Sequence, residues 1–150
     1  MTNNNSGVQT SSNETTRSEP EKNATNGSSY FFWIAFFSVF NQVMDKLSAK
    51  RRFVFGLGTP QYIGRLLTVA NPTLIWGVII VLAIFFVVFG IFSRRRNIPV
   101  YIIGIIFYVA DMMLSILSGD IVGSIVHVVF TVLLVMGLIA TLKLKDLPPA

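Results

Sequence analysis

Three long, mainly apolar stretches, Thr73 to Phe92, Pro99 to Leu117 and Ile121 to Leu142, constrain this chain more than any other feature. Each meets the requirement of about 17–25 mainly apolar residues for a helix crossing a hydrocarbon core roughly 30 Å thick. The composition agrees: 53% of the residues are apolar and 13% charged, with a mean hydropathy of +0.66. A soluble domain carries nearer 25% charge. The expected class is therefore all-α: an integral membrane four-helix bundle, multi-pass in the cell membrane, with the lipid bilayer as its main partner.

The fourth helix is expected over Tyr30 to Leu47. Its first half, YFFWIAFFSVF, is apolar, with Tyr30 and Trp33 placed for an interfacial aromatic belt; its second half, NQVMDKL, is amphipathic. Between it and Thr73, Gly56, Gly58 and Pro60 interrupt any helix, and Gln61 and Arg65 are costly to expose to lipid. Residues 53–71 thus read as a short interfacial or re-entrant segment, with an amphipathic helix from about Pro60 to Val69. Residues 1–29 are rich in Asn, Ser and Thr and show no periodicity, so they are expected to form a disordered polar tail before the membrane domain of residues 30–147. The four Asn-x-Ser/Thr matches in it, at Asn4, Asn13, Asn23 and Asn26, arise readily by chance in such a composition.

Charge and depth give different topologies. If residues 53–71 span, five helices put Lys46, Lys50 to Arg52, Arg94 to Arg96, Lys143 and Lys145 on one face, with the N-terminus external. If they do not, there are four helices, and both termini share a cytoplasmic face with Arg94, Arg95 and Arg96. Depth favours four. Ser118-Gly119-Asp120 is a short connection, so the flanking helices form a hairpin, and Asp111 and His127 stand at equal sequence distance from Gly119. At 1.5 Å per residue both lie about 12 Å from its tip. Tyr108, Asp111 and Ser115 share one helical stripe, and Ser124, His127 and Thr131 share another, so the two polar faces can meet. Asn41, Gln61 and Arg65 fall in the same half of the bilayer in the four-helix arrangement. They complete an expected polar intramembrane cluster of Asn41, Gln61, Arg65, Tyr108, Asp111, His127 and Thr131.

Several segments, YFFWIAFFSVFNQV, RRFVFGLGTPQYIG and GIIFYVADMMLSILSGDIVGSIVHVVF, resemble a family of small uncharacterised prokaryotic multi-pass membrane proteins. That family's pattern runs W-x-A-x-x-S-x-x-N, then F-x-x-G-L-G-x-T-Q, then G-x-x-x-Y-x-x-D, then a His in the last helix. Trp33, Ser38, Asn41, Phe53, Gly56, Leu57, Gly58, Gln61, Gly104, Tyr108, Asp111 and His127 match it, over roughly residues 30–142. Thr59-Pro60-Gln61 departs from the usual Thr-Gln adjacency, and Arg65 stands where an acidic residue is common. The resemblance implies four helices with a lipid-surface segment and carries no activity with it.

Little in the sequence supports catalysis. The chain has no Cys and one His, too few ligands for an ordinary zinc or iron site, so neither metal nor cofactor is expected. Gly56-Leu57-Gly58 lacks the third Gly, or the Gly-Lys-Ser/Thr, of a phosphate loop, and no Gly-x-Ser-x-Gly occurs. The expectation is a non-enzymatic protein. Asp111 with His127 is the sharpest functional candidate, because an intramembrane acid facing a His can hold a proton or a cation. The competing reading is a hydrogen bond that fixes the helix hairpin, and it is preferred because one acid and one His make a short relay. A small proton- or cation-linked transporter or channel stands as the alternative, and Arg65 as a rival partner for Asp111. Arg94, Arg95, Arg96, Lys143 and Lys145 read as topology anchors that also suit anionic lipid headgroups. The uniformly apolar helix around Trp76 and Gly77 is a candidate surface for self-association or an unknown membrane partner. A net charge of +5 divided into short clusters between apolar spans gives no reason to expect nucleic acid.

Overall fold

The computed structural model describes residues 6–47, Thr59, Tyr62 and 72–146, and it is helical almost throughout. Four helices carry it: α1 (Ser6–Leu47), α2 (Pro72–Arg94), α3 (Ile98–Leu117) and α4 (Ile121–Asp146). Of these, α2, α3 and α4 are long and apolar enough to cross a membrane. The segment expected over residues 53–71 lies outside the described residues apart from Thr59 and Tyr62.

Local chemistry sets the turns between helices. Asn97 adopts an extended backbone at the start of α3, its side chain accepts from the Val100 N–H at 3.4 Å, and Pro99 follows in the first turn. Arg96, just before it, takes a left-handed conformation with φ 58°. At the other end of α3 the chain reverses through Gly119, φ 70°, where a side chain would be strained. Asp120 then opens α4, its carboxylate accepting from the Gly123 N–H at 3.0 Å. The short connections make α2, α3 and α4 an up-down-up series.

Helix α1 completes the bundle, packing against α2 on one side and α4 on the other, while α3 closes the ring between them. Its direction follows from its partners. Glu21, Ser29 and Phe32 meet Arg96, Arg94 and Gly90 in that order, so α1 runs antiparallel to α2. Gly27 meets Gly137, and Tyr30 meets Phe130, so it is antiparallel to α4 as well. Leu47 and Pro72 therefore lie at the same end of the bundle, the end of the α3–α4 turn. The N-terminal part of α1, Arg94 to Arg96, Lys143 and Lys145 gather at the other end.

The core is a column of aromatic rings. Phe31 is wholly buried, with ring centroids of Tyr101, Phe89 and Phe86 at 5.3, 6.2 and 6.4 Å. Leu134, Ala35 and Ala83 fill the space around it. The outside is equally apolar: only 28% of the most apolar stretch of each of α2, α3 and α4 is buried, and Ile84, Ile106, Phe107, Ile125 and Met136 point outward. An exterior this apolar suits hydrocarbon far better than water. On α1 the outward face continues through Trp33, Phe36 and Phe40.

Helix α1 takes in residues 6–29 of the segment read from composition as a polar tail. Helix α1 begins at Ser6 and includes Pro20, with no break before Leu47. Poor local helix formers are outweighed near residue 24 by packing: Ala24 is buried with Ala140 and Leu144, and Ser28 is wholly buried. A Cβ built on Gly27 would lie 2.3 Å from the Gly137 Cα, so the two backbones approach as only glycines permit. The helix boundaries also move outward from those expected. Polar residues at the ends, such as Ser93, Arg94 and Lys143, continue the backbone ladder beyond the apolar stretch.

Candidate functional site

Asp111, two turns from the end of α3, and His127, two turns into α4, face each other inside the bundle. His127 Nε2 lies 2.9 Å from Asp111 Oδ2, and both side chains are almost fully buried. The second imidazole nitrogen, Nδ1, is 2.8 Å from the carbonyl oxygen of Gly123, one turn back in the same helix. Both ring nitrogens are thus engaged within the bundle.

The other carboxylate oxygen serves the segment between α1 and α2. Thr59 donates twice to Asp111 Oδ1, from its backbone N–H at 2.8 Å and from its hydroxyl at 2.5 Å. Tyr108, one turn before Asp111, enters the site as a ring. It stacks on the His127 imidazole with centroids 4.9 Å apart and planes 17° from parallel, while the Phe86 ring of α2 lies edge-on to it at 5.9 Å.

The remaining expected members fare differently. Thr131 does not join the cluster, because its hydroxyl donates to the His127 carbonyl oxygen at 2.8 Å, a local bond within α4. Asn41 lies on α1, and its buried Oδ1 has no hydrogen-bond partner among the described residues. Gln61 and Arg65 lie outside the described residues. Thr59 is the member the sequence did not reveal; a polar residue next to the helix-breaking Gly58 was its only signal. Ser115, one turn after Asp111, is buried beside Gly123 and Asp120.

The basic residues at the opposite end are more than topology marks. Arg96 pairs with Glu21 at 2.8 Å. Arg94 donates to the Ser29 hydroxyl at 3.1 Å, and its guanidinium lies 4.8 Å from the centre of the Phe32 ring. Both contacts fasten α1 to the end of α2. Arg95 lies over Phe92 of its own helix, and Lys143 and Lys145 are exposed in the last turn of α4, where positive charge suits the helix dipole.

Chemically, the site can hold a proton between an acid and an imidazole and can grip a backbone N–H. Among the described residues no group of three or more His, Cys, Asp and Glu side chains could hold a metal ion. Fold and site together define an all-helical protein with three helices long and apolar enough to cross a membrane, built around one buried acid–imidazole pair. The chain matches no protein-family model, no curated protein and no solved structure.

Proposed function

We propose that this chain is a non-enzymatic, multi-pass protein of the cell membrane with four spanning helices, in which the Asp111–His127 pair is structural. The apolar face of α1 through Trp33, Phe36 and Phe40 supports its crossing beside the other three helices. Its antiparallel run against α2 supports an even number of crossings, with the intervening segment re-entrant or interfacial. Both termini are then cytoplasmic, with Arg94, Arg95, Arg96, Lys143 and Lys145 on the positive-inside face. The Lys50-Arg51-Arg52 cluster, outside the described residues, is the opposing signal. The four-helix arrangement with a surface segment is also what the resemblance to the small prokaryotic multi-pass family implies.

The observation that carries the structural reading is the saturation of the pair. Oδ2 faces His127, Oδ1 accepts from Thr59, and Nδ1 faces Gly123, so the polar atoms are spent on holding α3, α4 and the α1–α2 segment together. Such a protein acts as a small scaffold or accessory subunit. Its partners are the bilayer, anionic headgroups at the exposed Arg95, Lys143 and Lys145, and a second copy or another membrane protein along the apolar flank. A transporter or channel using Asp111 and His127 is the second reading, favoured by a buried acid–imidazole pair, a chemistry that protons and cations use. Proton and cation flux into liposomes holding the purified chain tests the two. The structural reading expects no flux above protein-free vesicles; flux that disappears in a well-folded Asp111→Asn variant would replace it with the transport reading.

A further inference from the structure

We propose that Asp111 and His127 hold one proton between them as a closed, electrically neutral dyad, with His127 fixed in the form that carries hydrogen on Nδ1. The inference deepens the structural reading above and rests on it only in taking the pair as permanent.

The donors and acceptors around the pair require this state. Nδ1 lies 2.8 Å from the Gly123 carbonyl oxygen, which can only accept, so Nδ1 must bear the hydrogen. On the other side, Nε2 and Oδ2 are 2.9 Å apart. With no hydrogen between them two lone pairs would collide, and with two hydrogens the donors would collide. One proton remains. It sits on Nε2, giving imidazolium and carboxylate, or on Oδ2, giving neutral imidazole and carboxylic acid; passing it across breaks one N–H or O–H bond and forms the other. Either way the pair's net charge is zero. Oδ1 accepts from both the Thr59 N–H, at 2.8 Å, and the Thr59 hydroxyl, at 2.5 Å, so the line to Nε2 is assigned as the proton's place.

Neutrality has a physical purpose here. An unpaired ionised group at this depth is costly, whereas a pair that contains its own proton carries no net charge into hydrocarbon. Closure follows from Nδ1. A proton relay would need that nitrogen to give up its hydrogen, which would leave its lone pair against the Gly123 carbonyl. Tyr108, the titratable neighbour on α3, presents its ring face to the imidazole, and Asp120, at the start of α4, is engaged with the Gly123 N–H. The dyad stores a proton and does not pass it on.

The chain's single His makes the test direct, because every histidine signal from labelled protein belongs to His127. The full chain, labelled with nitrogen-15 histidine and held in lipid nanodiscs, is examined by NMR. The expected spectrum has a directly bonded hydrogen on Nδ1 that exchanges slowly with water. In Asp111→Asn, where the amide donates to Nε2, Nδ1 keeps its hydrogen and Nε2 becomes a bare acceptor. A bare Nδ1 in the wild type, or an Nδ1 hydrogen exchanging as fast as that of free histidine, would overturn the proposal. Should the variant fail to fold, the wild-type spectrum still decides. Flux is scored separately: flux of a cation other than the proton while Nδ1 stays protonated would sink the structural reading and leave the dyad, proton flux that depends on Asp111 would sink both, and a bare Nδ1 without flux would sink the dyad alone.

Discussion

His127 and Asp111, sixteen residues apart, meet at 2.9 Å because the α3–α4 turn stands midway between them and returns the chain at equal depth. The same carboxylate also receives Thr59 from the α1–α2 segment. One side chain thereby joins three parts of the chain, and its removal should be felt in all of them.

Asp111→Ala strands the His127 Nε2 and the Thr59 N–H in a buried setting. A loss of about 1–3 kcal/mol in unfolding free energy is expected. Asp111→Asn keeps a hydrogen bond to Nε2 and an acceptor for Thr59, so its loss should be about 1 kcal/mol or less. Reversible unfolding in mixed detergent micelles measures both; equal losses for the two variants would refute the bookkeeping of bonds.

Gly27 and Gly137 bring α1 and α4 into close backbone contact, each Cβ position falling within 2.4 Å of the other's Cα. Backbone cannot yield as a side chain does, so Gly137→Val should cost about 2–3 kcal/mol by forcing the helices apart. Gly77 supplies the contrast, since a Cβ there meets nothing within 4 Å. Gly77→Ala should be neutral or gain about 0.5–1 kcal/mol from helix propensity. Unfolding midpoints of the two variants in the same micelles check the difference.

Arg96 is held at φ 58°, a conformation costing a non-glycine residue about 1–2 kcal/mol. Its ion pair with Glu21 is about half exposed and so worth about 0–1 kcal/mol. Arg96→Gly relieves the first and forfeits the second, so stability should be unchanged or slightly higher, while Arg96→Ala, which keeps the strain, should be lower than Arg96→Gly. Unfolding free energies of the two variants rank them.

The chain has no Cys, so single cysteines report topology without background. Cysteines placed at Ser18, Arg95 and Asp146 should react with an impermeant maleimide from the same face of oriented vesicles, and one at Gly119 from the opposite face. Labelling of Ser18 and Arg95 from opposite faces would support five crossings instead.

Much of the helical architecture was legible in the sequence, because long apolar runs and a short polar turn leave few alternatives: α2, α3 and α4 fall where hydropathy puts them, within a few residues. The meeting of Asp111 and His127 was legible too, since a hairpin converts sequence distance into depth. What escaped notice depends on contacts between distant parts of the chain. Ala24, Gly27 and Ser28 look like tail composition until Gly137 and Ala140 are set against them. Thr59 acquires a role only through Asp111, and Thr131, on the expected stripe, spends its hydroxyl on its own helix. Arg94 and Arg96 read as topology charges because Glu21 and Ser29 fell in the segment read as a disordered tail and nothing in the sequence set Phe32, in the next helix, beside Arg94.

The most direct test of the central claim, that the buried pair is a structural clamp, is a double-mutant cycle. Unfolding free energies are measured in micelles for the wild type, Asp111→Ala, His127→Ala and the double variant, beside the flux assay. The account predicts that the double variant is little worse than either single one, a coupling of about 1 kcal/mol or more, with no flux from the wild type. Strictly additive effects near zero, together with wild-type flux abolished by either substitution, would contradict it.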